Sequence, residues 1–137
     1  MLYRLLKPGD KWQDGLKAKD PNSTISVFDH VINGSSWLSK SKYVSKCGSL
    51  KAVLTFRSKS LNPGIIVQIS EDKLPVEKID LRTSSNRSDH YEVGRHCDEL
   101  INKFNNYANK FQEVLLIGDV PASYIEALDE SDSDSDI

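Results

Sequence analysis

Three short stretches of this 137-residue chain carry the side chains best placed to do chemistry, and they lie far apart in sequence. Tyr3-Arg4-Leu5 sets an arginine among apolar neighbours. Tyr43-Val44-Ser45-Lys46-Cys47 is a short aromatic–serine segment that runs straight into the apolar pattern Leu50–Phe56. Glu113 stands at the mouth of the apolar run Val114-Leu115-Leu116-Ile117. Other groupings are thinner. His90, His96 and Cys97 lie close together, but their spacing matches no zinc pattern. Cys47 with His30 would make a Cys–His nucleophile pair, although Cys47 reads better as a small packed residue. A Gly-rich phosphate loop, an HExxH pair and a nucleophile elbow are all absent.

The elements that must position these groups follow from periodicity and punctuation. Leu2–Leu6 reads as a strand ended by Pro8-Gly9. Ser23 or Thr24 is placed to cap a helix with Ile25, Phe28, Val31 and Ile32 on one face, ended by Asn33-Gly34. Residues 35–42 form a Ser- and Lys-rich loop before the strand Tyr43–Cys47. A helix follows from Ser49 to about Lys59. Asn62-Pro63-Gly64 is a turn before the β-branched strand Ile65–Ile69, and Lys73–Leu81 holds a further strand with Pro75 near its beginning. Residues 82–96 read as loop. From about Asp98, Leu100, Ile101, Phe104, Tyr107, Ala108 and Phe111 make a wide helical stripe, and a buried strand from Glu113 to Val120 is stopped by Pro121. Trp12, Trp37 and Tyr124 read as core or rim packing. Strands and helices interleave without a regular βαβ repeat, which points to an α+β domain.

Length and composition bound the rest. One domain over residues 1–128 is expected, too short for two catalytic units. The longest apolar runs are four residues, so no membrane span is expected. The first residues lack the apolar core and cleavage site of a signal peptide, and two cysteines make no disulfide framework. The expectation is a soluble, intracellular monomer with no membrane association. Charge is uneven: residues 1–60 carry a net +7, residues 61–128 a net −4, and residues 129–137 five acids and no base. The basic half suits an anionic ligand: a nucleotide pyrophosphate, a nucleic acid, or the acidic tail itself. Asp129–Ile137 is low in complexity and reads as a disordered tail whose serines, each followed by an acid, suit acidophilic kinases.

The order and element types of Arg4, Ser45 and Glu113 resemble the Arg–Ser–Glu, cholera-toxin-like branch of the ADP-ribosyltransferase fold. That family has an Arg on its first strand, an aromatic-x-Ser-Thr-Ser segment before a helix, and a Glu opening a late strand of the type Glu-Val-Leu. The resemblance covers about residues 2–125. It implies a split, mostly antiparallel β core with flanking helices, NAD as the cofactor, and a macromolecular acceptor, protein or nucleic acid. It also implies roles: Glu113 catalytic at the ribose, Arg4 on the dinucleotide phosphates, Ser45 orienting the ribose or Glu113, and Tyr43 beside the nicotinamide end. Lys46 and Cys47 depart from the family segment, replacing its Thr and second Ser. Phe111 stands where arginine- and asparagine-modifying members carry Glu or Gln, which disfavours protein-arginine transfer. The alternatives are a non-catalytic binding module on the same fold, contacting nucleic acid or protein through its basic N-terminal half, and a ribonuclease-like domain using basic residues and a histidine. The resemblance requires Arg4, Ser45 and Glu113 to meet within roughly 10 Å in one groove.

One outcome follows from composition. Deleting residues 129–137 leaves the melting temperature unchanged, because Ile137 is the only apolar residue removed, and raises affinity for anionic ligands by removing five competing charges. Calorimetric melting and salt-dependent ligand binding of the two chain lengths check both halves; a large fall in melting temperature would show a docked tail.

Overall fold

Leu2 and Arg4 fall on one side of the first strand and Tyr3 and Leu5 on the other, and this alternation sets the two faces of a single sheet. In a computed structural model, which describes residues 1–18, 20, 22–33, 42–91 and 97–128, six strands make up that sheet. They are β1 (Leu2–Leu5), β2 (Tyr43–Cys47), β3 (Ile66–Ile69), β4 (Glu77–Asp80), β5 (Glu113–Ile117) and β6 (Ile125–Ala127). Their order is β4-β5-β2-β1-β3-β6, and every pairing is antiparallel. Helices α1 (Val27–Asn33), α2 (Leu50–Ser58), α3 (Ser84–Ser88) and α4 (Asp98–Lys110) complete the α+β architecture.

One face of the sheet buries Leu2, Val44, Val67, Ile69, Val114 and Leu116 together with Leu6, Leu16, Val120 and Ile125, flanked by Trp12 and Tyr124. The other face is covered in two places. Phe28 and Val31 of α1 and Phe104 and Ala108 of α4 pack over Leu115 and Leu81, with the Phe28 and Phe104 rings stacked at 4.7 Å. Ala52 and Val53 of α2 pack over Ile66 and Cys47, with Phe111 closing the patch. The helix α2 starts where the Ser49 side chain accepts from the Ala52 N–H at 3.1 Å, satisfying one of the donors a helix N-terminus leaves open. α4 ends on Phe111, and Gln112, at a φ of 48°, turns the chain directly into β5.

The pairing is uneven, and that unevenness splits the sheet. β2 pairs with β5 over five positions and β1 with β3 over four, whereas β1 and β2 share one register pair, Tyr3 with Cys47. The halves β4-β5-β2 and β1-β3-β6 therefore part beyond Tyr3 and Cys47.

Several local expectations need correcting. α1 begins at Val27, not after Ser23 or Thr24, because Ser26 is the side chain that accepts from the Asp29 N–H, while Ser23 closes a local turn on Ile25. Within 82–96, read as loop, Thr83 caps the short helix α3. The buried Arg87 ties α3 to the Leu81 carbonyl and to Asn105 of α4. Five residues are too few for helical periodicity to show. β5 stops at Ile117 because Gly118, at a φ of 105°, turns the chain before Pro121 is reached. β6, three residues long, carried no sequence signal. Among the described residues no helix is long and apolar enough to cross a membrane. Trp37, His96 and the tail 129–137 lie outside the described residues.

Candidate active site

Each candidate side chain is delivered by a specific backbone event. Arg4 sits in β1 where it leaves β2, and Ser45 at the centre of β2 opposite Leu115. Glu113 is the first residue of β5, opposite Cys47, because Phe111 ends α4 and Gln112 makes a one-residue turn. The Gln112 carbonyl accepts from the Gly48 N–H at 2.7 Å, locking this corner to the start of α2. Tyr43, Ser45, Cys47 and Glu113 share one face of the sheet by alternation and register. Arg4 and Lys46 leave their strands on the opposite face, contrary to the expectation that Arg4 and Glu113 share one, and meet the Ser45 carbonyl only where the sheet splits.

The groups converge. Arg4 Nη1 donates to the Ser45 carbonyl oxygen at 2.7 Å, and Lys46 Nζ reaches the same oxygen at 3.3 Å. The Ser45 hydroxyl lies 2.6 Å from His30 Nε2 on α1, and the Ser45 side chain favours the ionised form of the nearby Glu113 carboxyl group. A hydroxyl has one hydrogen to give. When His30 Nε2 carries a hydrogen, Ser45 accepts from it and can turn its own hydrogen elsewhere, toward the Glu113 carboxyl among others; when Nε2 is bare, Ser45 donates to His30 instead.

Burial sets the electrostatics. The Glu113 acid is pushed up to about 7 by desolvation, against the opposing pull of Ser45, Arg4 and Lys46. Burial lowers Arg4, with Asp10 and Glu113 resisting; an arginine stays protonated all the same. Lys46, 2% exposed, lies well below the ordinary lysine range, first through burial and then through the neighbouring Arg4 charge. The Cys47 thiol is pushed up to about 12 by burial and by Glu113, so it holds no thiolate near neutral pH. The Cys47–His30 nucleophile pair is therefore not what the fold builds: His30 partners Ser45, and Cys47 packs against α2. Cys97 is exposed, and among the described residues no cluster of three metal-ligating side chains occurs.

These groups form the floor of a cleft of about 1260 Å3 between α2 on one side and α1 and α4 on the other. Tyr43 lines it, its ring edge-on to His30 at 5.5 Å. Six lysines and Arg4 line the cleft against two acids, Glu99 and Glu113. At its mouth the Lys110 ammonium is lowered by the adjacent Lys59 charge. The volume exceeds the roughly 300–1,000 Å3 of an ordinary small-molecule pocket, and the donor set suits an oxyanion-bearing ligand of dinucleotide size. Five contributors carry no signal for this site in the sequence. His30 reads there only as a partner for Cys47, Lys46 only as a departure from a motif, and Lys59, Lys103 and Lys110 only as part of bulk charge. Comparison with family models, curated proteins and solved structures gives no match to this chain.

The raised Glu113 acid makes stability depend on pH. Between the ordinary value of 4.5 and about 7 the folded chain keeps a proton that the unfolded chain has released. The contribution of this group to stability therefore falls as pH rises through that window and is level above it. Glu113→Gln removes the effect. Relative to wild type the variant gains about 3 kcal/mol at pH 8 and close to nothing at pH 4. Denaturant unfolding of both proteins at the two pH values measures this, and an equal difference at both would contradict it.

Proposed function

We propose that the chain is an NAD-dependent ADP-ribosyltransferase-like enzyme, acting on a macromolecular acceptor or on water. The observation that carries the reading is the meeting of an arginine, a serine and a glutamate from three strands in one cationic cleft, with Arg4 bonded to the Ser45 carbonyl and Glu113 close enough to feel both. Bound there, NAD supplies a nicotinamide–ribose bond whose cleavage builds positive charge on the ribose, as glycoside cleavage does. Arg4, with planar donors to spare, holds the diphosphate oxygens. Glu113 in its ionised form faces the ribose and stabilises the developing charge, most effectively in a site that excludes water. Ser45 fixes the carboxylate, His30 acts as a positioning residue by setting which way the Ser45 hydrogen points, and Tyr43 packs beside the nicotinamide end. The lysines at the mouth favour an acceptor that carries negative charge. A non-catalytic binding module is the second reading. It is favoured by Phe111, which packs against Phe56 and Tyr107 and puts no polar group where an acceptor would be held.

Incubation with labelled NAD, alone and with cell extract, tests the two readings. Wild type is expected to release nicotinamide, with a rate that rises as pH passes through about 7 because Glu113 acts when ionised. Glu113→Gln keeps NAD binding and loses roughly 10²–10³ in rate. Arg4→Ala weakens binding first, because a phosphate contact is made in both ground and transition states. An unchanged rate in Glu113→Gln overturns the catalytic assignment. No turnover with any extract, together with RNA binding that falls steeply with salt, installs the second reading.

A further inference from the structure

The cleft holds a second cation that the functions above leave unused. Lys46 is 2% exposed; its side chain leaves β2 on the Val44 face, away from Ser45 and Glu113, and borders the cleft where the two halves of the sheet part. Among the described residues its ammonium group has one hydrogen-bond acceptor, the Ser45 carbonyl, at the long distance of 3.3 Å. Arg4 is in the same position: its guanidinium has five N–H groups and among the described residues hydrogen-bonds one acceptor, that same carbonyl oxygen. Two cations therefore converge on one neutral oxygen at the point where β1 parts from β2. A buried polar group without partners is costly, and a buried charge more so. Ordinary packing would place an apolar side chain at position 46, between Val44 on the same strand face and Val114 opposite it in the register. A lysine in that slot makes sense if something anionic completes it.

We propose that Lys46 and Arg4 together form a two-cation site for the diphosphate of a nucleotide, with Lys46 supplying charge that Arg4 alone does not. The inference rests on the nucleotide reading of the cleft and extends it to a residue outside the Arg–Ser–Glu set. The charged and titratable groups facing Lys46 are Arg4 on β1, Glu113 on β5 and Cys47 beside it on β2. Burial and Arg4 push the amine toward its neutral form, and Glu113 pulls the other way. An arriving diphosphate adds negative charge and donor-seeking oxygens, which favours the protonated form of Lys46. The affinity of the site for the anion accordingly falls as pH rises.

ADP-ribose is the probe, because its diphosphate is a diester and does not itself titrate near neutral pH. Calorimetric titrations from pH 6 to 9, in buffers of different ionisation enthalpy, read affinity and proton uptake together. Wild type is expected to bind with proton uptake and with affinity that declines toward high pH. Lys46→Met keeps the aliphatic packing, so its melting temperature stays at or above that of wild type. It binds ADP-ribose at least 10-fold more weakly and with less proton uptake, what remains being that of Glu113; Lys46→Gln serves if the methionine variant does not fold. Glu113→Gln separates the two titrating groups, since the pH slope belonging to Lys46 persists in it. Equal affinity and equal proton uptake in wild type and Lys46→Met would show that Lys46 is a buried donor to Ser45 and nothing more. Failure of wild type to bind either ADP-ribose or inorganic pyrophosphate would also overturn the proposal. Nicotinamide release is scored separately. Lys46-dependent ADP-ribose binding without release defeats the enzymatic reading alone, and release that is indifferent to Lys46 defeats this inference alone.

Discussion

The site depends on a side chain standing in for a strand. Where β1 leaves β2, the Ser45 carbonyl oxygen accepts from the Arg4 guanidinium instead of from a backbone N–H of the neighbouring strand. Buried backbone acceptors must be satisfied, and satisfying this one with a long side chain lets the two halves of the sheet separate. The separation opens the floor of the cleft. It also brings a permanent positive charge into a low-dielectric environment, and every other unusual group there responds to it. Glu113 is drawn partly back from the neutrality that burial imposes, and Lys46 is driven further toward it.

The flanking helices turn that opening into a site. α2 covers the sheet over Ile66 and Cys47, while α1 and α4 cover it over Leu115 and Leu81. The uncovered strip between them runs along the face of β2 that carries Tyr43, Ser45 and Cys47. α1 contributes more than cover. Its apolar side buries Val27, Phe28 and Val31, and this seats the helix so that His30 reaches Ser45. The stacking of Phe28 on Phe104 joins α1 to α4, so the placement of a polar contact in the cleft is fixed by aromatic packing behind it.

Much of this was legible in the sequence, for definite reasons. The strands β1, β2, β3 and β5 and the helices α2 and α4 carry periodic apolar residues bounded by strong punctuation, Pro8-Gly9, Ser49 and Asn62-Pro63-Gly64 among them. Arg4, Ser45 and Glu113 could be picked out because a charged or polar residue in an apolar strand is conspicuous. What could not be read depends on tertiary geometry. The bond from His30 to Ser45 requires knowing how α1 packs on α4. Lys46 looks like any strand lysine until alternation and register place it between Val44 and Val114. α3 and β6 are held by contacts with distant chain, Arg87 to Leu81 and Asn105 and Ile125 to Ile69, so their own few residues say little.

The register between β2 and β5 also governs when the cleft can come into being. Cys47 and Glu113 lie opposite each other in the sheet, yet α2, β3, β4, α3 and α4 lie between them in the chain. Loop closure over such a span is entropically expensive and comes late in folding, after local hairpins and helices. The carboxyl group stands beside the serine only with β5 seated between β4 and β2. No run of consecutive elements holds Arg4, Ser45 and Glu113 together, so the complete constellation belongs to the finished fold alone.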